Sequence, residues 1–120
     1  MRRIRLDITG TKAAADLLRR AWRATERGKR VEPILAVDSL ERVKALLSPK
    51  RVALLRFVGE HPGLSVRALA SAIDRDYKNV HGDVTQLEAQ GLLERDESQG
   101  LRLPFDEVLI RVPLRELSRS

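Results

Sequence analysis

At 120 residues, with 42% hydrophobic and 33% charged residues, the chain has the make-up of one soluble globular domain with at most a small extension. The absence of cysteine excludes disulfides and cysteine-ligated zinc, and an aromatic content of 3% argues against stacked binding of single strands. The net charge of +6 is uneven: residues 1–50 hold 13 Lys/Arg against 6 Asp/Glu, and residues 51–120 hold 10 against 11. Attraction to phosphate therefore has to come from the N-terminal half or from local clusters. No apolar run approaches the roughly 18 residues of a membrane span and no signal-peptide pattern opens the chain; the absence of cysteine fits a cytoplasmic home, which is the expectation.

Met1–Gly10 alternates Ile4, Leu6 and Ile8 with Arg3, Arg5 and Asp7, the period of a half-buried strand. Thr11 can cap a helix through about Arg27, with Ala14, Leu17, Leu18, Ala21, Trp22 and Thr25 as its apolar stripe. Arg19, Arg20, Arg23, Arg27, Lys29 and Arg30 crowd the other faces and the C-terminal end. They read either as a solvated face favoured by the helix dipole or as phosphate contacts. Leu17, Leu18, Ala21 and Trp22 are the expected dimer contact, the alternative being that this stripe packs on the chain's own second half. Val31–Val37 reads as a short strand whose Pro33 suits an edge. Asp38 and Glu41 are spaced as a capping box for a helix through Leu47. Ser48-Pro49 supplies a cap and a first-turn proline for a helix to Glu60, burying Val52, Leu55, Phe57 and Val58.

Residues Ser65–Leu93 carry the clearest pattern. Val66, Leu69, Ala70 and Ile73 share one helical face behind the cap Ser65. Asp74-Arg75-Asp76 then breaks the pattern, and Asp is tolerated in the left-handed conformation such a turn needs. Asp76 caps a second helix with an inward face of Tyr77, Val80, Val84 and Leu87, ending at Gly91. Its outward face is Lys78, Asn79, His81, Gly82, Thr85 and Gln86, groups suited to the edges of bases. Leu92–Asp96 and Leu101–Leu103 read as a hairpin around Glu97-Ser98-Gln99-Gly100. Val108–Leu114 reads as a further strand able to pair with the N-terminal one, and Arg115–Ser120 as a frayed tail.

LASAIDRDYKNVHGDVTQLEAQGLLER resembles, without a gap, the helix-turn-helix of MarR-like winged-helix regulators. The Leu69-Ala70 pair, Val80, Val84, Leu87-Glu88 and the closing Gly91-Leu92-Leu93 carry the likeness. It departs at Asp74, where Gly is usual, and at Arg75, where an apolar residue usually packs. With its extension the chain is similar to small bacterial and archaeal regulators, some encoded beside presumed toxins. The resemblance implies a winged helix-turn-helix over 48–114; with the elements read above, the expected fold is mainly α with a small antiparallel β-wing, the winged domain preceded by a strand-helix-strand-helix extension over 1–47. It implies a homodimeric, sequence-specific binder of double-stranded DNA that regulates transcription, with helix 77–90 in the major groove and wing 92–103 on the backbone. The expected DNA-contact set is Ser65, Arg67, Arg75, Tyr77, Lys78, Asn79, His81, Gly82, Thr85, Gln86, Arg95, Ser98, Gln99 and Arg102. The wing arginines have a second reading, as partners of Asp96 and Glu97. The alternative function is an antitoxin-like module holding a toxin-like protein partner, with or without autoregulation. No catalytic residue, metal site or cofactor is expected, because His61, His81 and the acids form no convergent cluster.

Overall fold

The computed structural model describes residues 2–8 and 33–114. In chain order these form β1 (Arg3–Ile8), β2 (Ile34–Val37), α1 (Leu40–Leu46), α2 (Pro49–Glu60), α3 (Val66–Ala72), α4 (Tyr77–Ala89), β3 (Glu94–Arg95), β4 (Leu101–Arg102) and β5 (Glu107–Arg111). Helices dominate, as expected, with two small sheets beside them. The helix expected over 11–27, the dimer stripe Leu17, Leu18, Ala21 and Trp22, and the tail 115–120 lie outside the described residues. Among the described residues no helix is long and apolar enough to cross a membrane.

The chain divides into two units, one running to Lys44 and resuming at Glu107, the other spanning Ala45–Asp106. In the first, β1 lies between β2 and β5 and runs parallel to both. Arg5 registers with Ile34 on one side and with Leu109 on the other. Pro33 stands just before the edge strand β2, where its carbonyl accepts from the Arg5 N–H at 3.0 Å. Alternation is visible in the burial: Ile4 and Leu6 are buried, while Arg3 is exposed and Arg5 half-buried. Asp7 is buried too, 2.8 Å from Arg5 and 3.8 Å from Arg111, so a charge pair reaches across to β5. Residues 107 onward belong to this first unit, and the second ends at Asp106.

In the second unit each helix starts at a side-chain cap. Ser48 accepts from the Arg51 N–H, Ser65 from Ala68 and Asp76 from Asn79, each satisfying an otherwise free first-turn donor. The start of α1 corrects the expected capping box: Ser39 accepts from the Arg42 N–H at 3.2 Å, and Asp38 instead faces Arg42 Nε at 3.6 Å. The core is Leu54, Leu55 and Val58 of α2, Val66, Leu69 and Ala70 of α3, and Val80, Val84 and Leu87 of α4, with Leu92, Leu93 and Leu101. Leu54 was not expected inside. Phe57 was, yet it is only half-buried, its ring stacked on His61 with centroids 4.2 Å apart.

Strands β3 and β4 pair antiparallel, Glu94 with Arg102 and Arg95 with Leu101. A third segment joins them that the sequence did not reveal. The Gly63 N–H donates to the Leu101 carbonyl, and the Leu101 N–H to the Leu64 carbonyl, both at 2.8 Å. The wing is thus stitched to the loop that precedes α3.

Candidate nucleic-acid interface

Between α3 and α4 the chain reverses through Asp74, whose φ of +53° is the left-handed conformation read from the sequence. The Arg75 N–H donates back to the Ala70 carbonyl and the Asp74 N–H to Ser71, closing the end of α3. At its far end α4 stops where Gly91 adopts φ +79°, a conformation that glycine accepts without steric cost. These two positive-φ residues set the length and direction of α4.

Along α4 the helical period separates two faces. Val80, Val84 and Leu87 are fully buried, and Lys78, Asn79, His81, Gly82, Thr85 and Gln86 are all exposed. Thr85 donates to the His81 carbonyl one turn back at 2.8 Å. A Cβ added at Gly82 would meet nothing within 4 Å, so the glycine leaves a shallow gap in this face. Tyr77 corrects the expected inward face: it is 40% exposed, because it opens the helix at its outer end. The Arg67 guanidinium lies over its ring at 4.4 Å, and the His81 ring tilts toward it at 5.8 Å. Arg67, Tyr77 and His81 therefore form one exposed cluster at the start of the helix, with the exposed cap Ser65 on α3.

Two arginines of the expected contact set are ion-paired to acids of α4. Arg75 Nη2 binds Asp83 Oδ2 at 2.8 Å, and Arg51 Nε binds Asp83 Oδ1 at 3.1 Å. Arg51 Nη1 also donates to the Ala45 carbonyl, so the cluster links α1, α2, the turn and α4. Arg75 can sit where relatives of the expected pattern place an apolar residue because Asp83 supplies its counter-charge. Arg95 grips Glu88 through Nε and Nη2, the shortest contact being 2.8 Å. Its partner is thus on α4, and neither of the acids proposed from the sequence. Both arginine side chains are only a fifth to a quarter exposed, each held by an acid of α4.

At the wing tip, Asp96 accepts from the Ser98 N–H, the Ser98 hydroxyl and the Gly100 N–H at 2.7–2.9 Å. These bonds hold its carboxyl below the usual range, Ser98 contributing most, and Arg102 adds an attractive charge. Gln99 takes φ +71° to complete the turn. Ser98, Gln99 and Arg102 are exposed. His81 and Asp83 point to opposite sides of α4, and among the described residues no three potential metal ligands gather.

Asp83 is set by opposing effects. Burial pushes its carboxyl up, but hydrogen bonds and charges from Arg75 and Arg51 outweigh this and leave it below the ordinary value of 3.8. A lowered folded-state value means that the stabilisation is fully present above the unfolded value and is lost as pH falls through the folded one. Urea denaturation of the protein should therefore show a stability loss setting in below about pH 4, and Asp83→Asn should flatten that part of the profile. At neutral pH the same substitution should cost about 1–3 kcal/mol, because it weakens two charged hydrogen bonds. A variant with the wild-type acid profile would remove Asp83 from this role.

Residues 46–110 match the HVO_A0114 family. Over 52 residues the chain is 40% identical to a Thauera aromatica protein named "Putative transcriptional regulatory protein for hcr operon", a stretch covering 43% of this chain and 31% of that protein. The multiple antibiotic-resistance repressor (MarR) of Listeria monocytogenes 4b F2365 is similar in structure, with a TM-score of 0.45 and 19% identity over 78% of this chain and 63% of that one. The matched stretch spans about a third of the length of the Thauera protein.

Proposed function

Since the chain belongs to the HVO_A0114 family, we propose that it regulates transcription by binding double-stranded DNA sequence-specifically as a dimer, with α4 in the major groove. The observation that carries this reading is the charge arrangement of α4. Its two acids, Asp83 and Glu88, are turned onto Arg51, Arg75 and Arg95. The exposed face is left with Lys78, Asn79, His81, Thr85 and Gln86, basic or neutral hydrogen-bonding groups that an approaching phosphate or base edge would not repel. Asn79 and Gln86 are able to pair bidentately with adenine, and Gly82 leaves room for a close backbone approach. Ser65, Arg67 and Tyr77 flank this face, while Ser98, Gln99 and Arg102 offer the wing to the backbone. The name of the Thauera relative agrees with such a role. A single helix reads few base pairs, so two half-sites about one turn apart are required for useful affinity.

The test is duplex binding followed by fluorescence anisotropy, first with random sequence and then with duplexes selected from a randomised pool. Affinity should fall steeply with salt. Asn79→Ala and Gln86→Ala should each lose about 1–3 kcal/mol of discrimination between selected and random duplex. Absence of salt-dependent duplex binding defeats the proposal and turns the same exposed helix face toward a protein partner, toxin-like or other. An unchanged sequence preference in both variants defeats the assignment of the reading face alone.

A further inference from the structure

We infer that the outer edge of β5 is the surface through which two copies of this chain associate, β5 pairing antiparallel with itself about a two-fold axis at Leu109. The inference rests on the dimeric part of the function proposed above and not on its DNA part. Strand order places β5 at the edge of the parallel sheet, and among the described residues no strand pairs with its outer side. Such an edge offers unpaired N–H and C=O groups to any matching strand. The Glu107 N–H is directed at the Arg2 carbonyl of the β1 side, 3.4 Å away. By alternation, the main-chain groups of Leu109 and Arg111 also turn to β1, and those of Val108 and Ile110 turn outward. Leu109, Ile110 and Val112 are 37%, 48% and 45% exposed, an unusual apolar content for an open edge.

The occupant follows from the strand's own sequence, Glu-Val-Leu-Ile-Arg. With Leu109 opposite Leu109 of a second copy, Val108 falls opposite Ile110, so the two outward-facing residues exchange hydrogen bonds as an antiparallel ladder requires. In that register Glu107 falls opposite Arg111, and by symmetry Arg111 opposite Glu107. On one side of the joined sheet opposite charges meet, and on the other apolar side chains meet, which is the pairing that stabilises neighbouring strands. Shifting the register two residues either way removes the charge match, setting Arg111 opposite Leu109 in one direction and opposite Phe105 in the other. A self-complementary strand under a two-fold axis is the mark of an isologous contact.

Sedimentation at micromolar concentration tests this with two variants, Glu107→Arg and Arg111→Glu, after circular dichroism has established that each is folded. The wild type should be a dimer. Each variant alone places like charges at both ends of the junction and should dimerise about tenfold more weakly or worse. An equimolar mixture restores both opposite-charge pairs and should recover dimerisation as a heterodimer. Because the chain has no cysteine of its own, Leu109→Cys gives an independent readout should a charge variant fail to fold. Residues facing each other across the dyad are about 4.5 Å apart at Cα, within disulfide reach. Under diamide Leu109→Cys should cross-link far faster than Val112→Cys. A dimer indifferent to the charge changes, or equal cross-linking of the two cysteine variants, overturns the inference and moves the interface elsewhere, the stripe containing Trp22 first. A wild-type monomer overturns it together with the dimeric reading, while the duplex-binding result stands apart.

Discussion

Replacing Leu87 by alanine should destabilise the protein by about 2–5 kcal/mol, the range seen when a large aliphatic side chain is removed from a packed core. Leu87 is completely buried, at the end of the stripe Val80–Val84–Leu87 that seats α4 on α3. Its two predecessors in the chain, Thr85 and Gln86, are exposed. Thr85→Ala and Gln86→Ala should therefore move stability by no more than about 0.5 kcal/mol, although one helix turn holds all three residues. Urea denaturation checks the contrast. A Leu87→Ala variant as stable as the two surface variants would mean that α4 is rotated about its axis from the arrangement described. It would also place the outward row Lys78–Gln86 elsewhere, so the stability of one buried leucine bears directly on the proposed reading face.

Gly100→Ala should cost about 1–3 kcal/mol through overpacking. A Cβ there would come within 2.7 Å of the Gly63 carbonyl oxygen and 2.8 Å of both Gly63 Cα and Asp96 Oδ2. Relief is hard to find, because Gly63 is bonded to Leu101 and Asp96 is engaged by Ser98 and the Gly100 N–H itself. Gly59 makes the control. A Cβ at that position would approach only the end of the Leu103 side chain, at 2.9 Å, and a leucine tip can rotate away. Gly59→Ala should thus be the milder of the two in thermal or urea unfolding. If the order is reversed, the close approach of the pre-α3 loop to the wing is not present in solution.

What the amino-acid order determined by itself is local and periodic. The caps Ser48, Ser65 and Asp76 hydrogen-bond within three residues. Asp74 and Gly91 stand where positive φ is needed, and the inward stripe of α4 follows from a spacing of three and four. Each is decided by near neighbours along the chain, so each was legible. Tyr77 escaped this logic because periodicity assigns a face but not a depth, and the first residue of a helix has little packed around it. The cap of α1 fell one residue from its expected place because Asp38 and Ser39 both suit it, and Ser39 makes the bond.

Tertiary structure decided the pairings between distant residues. Nothing local distinguishes Arg75 and Arg95 from cations that reach solvent. The first was claimed by Asp83, eight residues on and already shared with Arg51 from 32 residues earlier, and the second by Glu88 across the end of α4. The Gly63–Leu101 bridge and the place of β5 beside β1 are likewise main-chain bonds between segments far apart in sequence. A strand's residues state only that it has a polar and an apolar face. Which edge it joins, and which edge it leaves open, depends on where the rest of the sheet already lies.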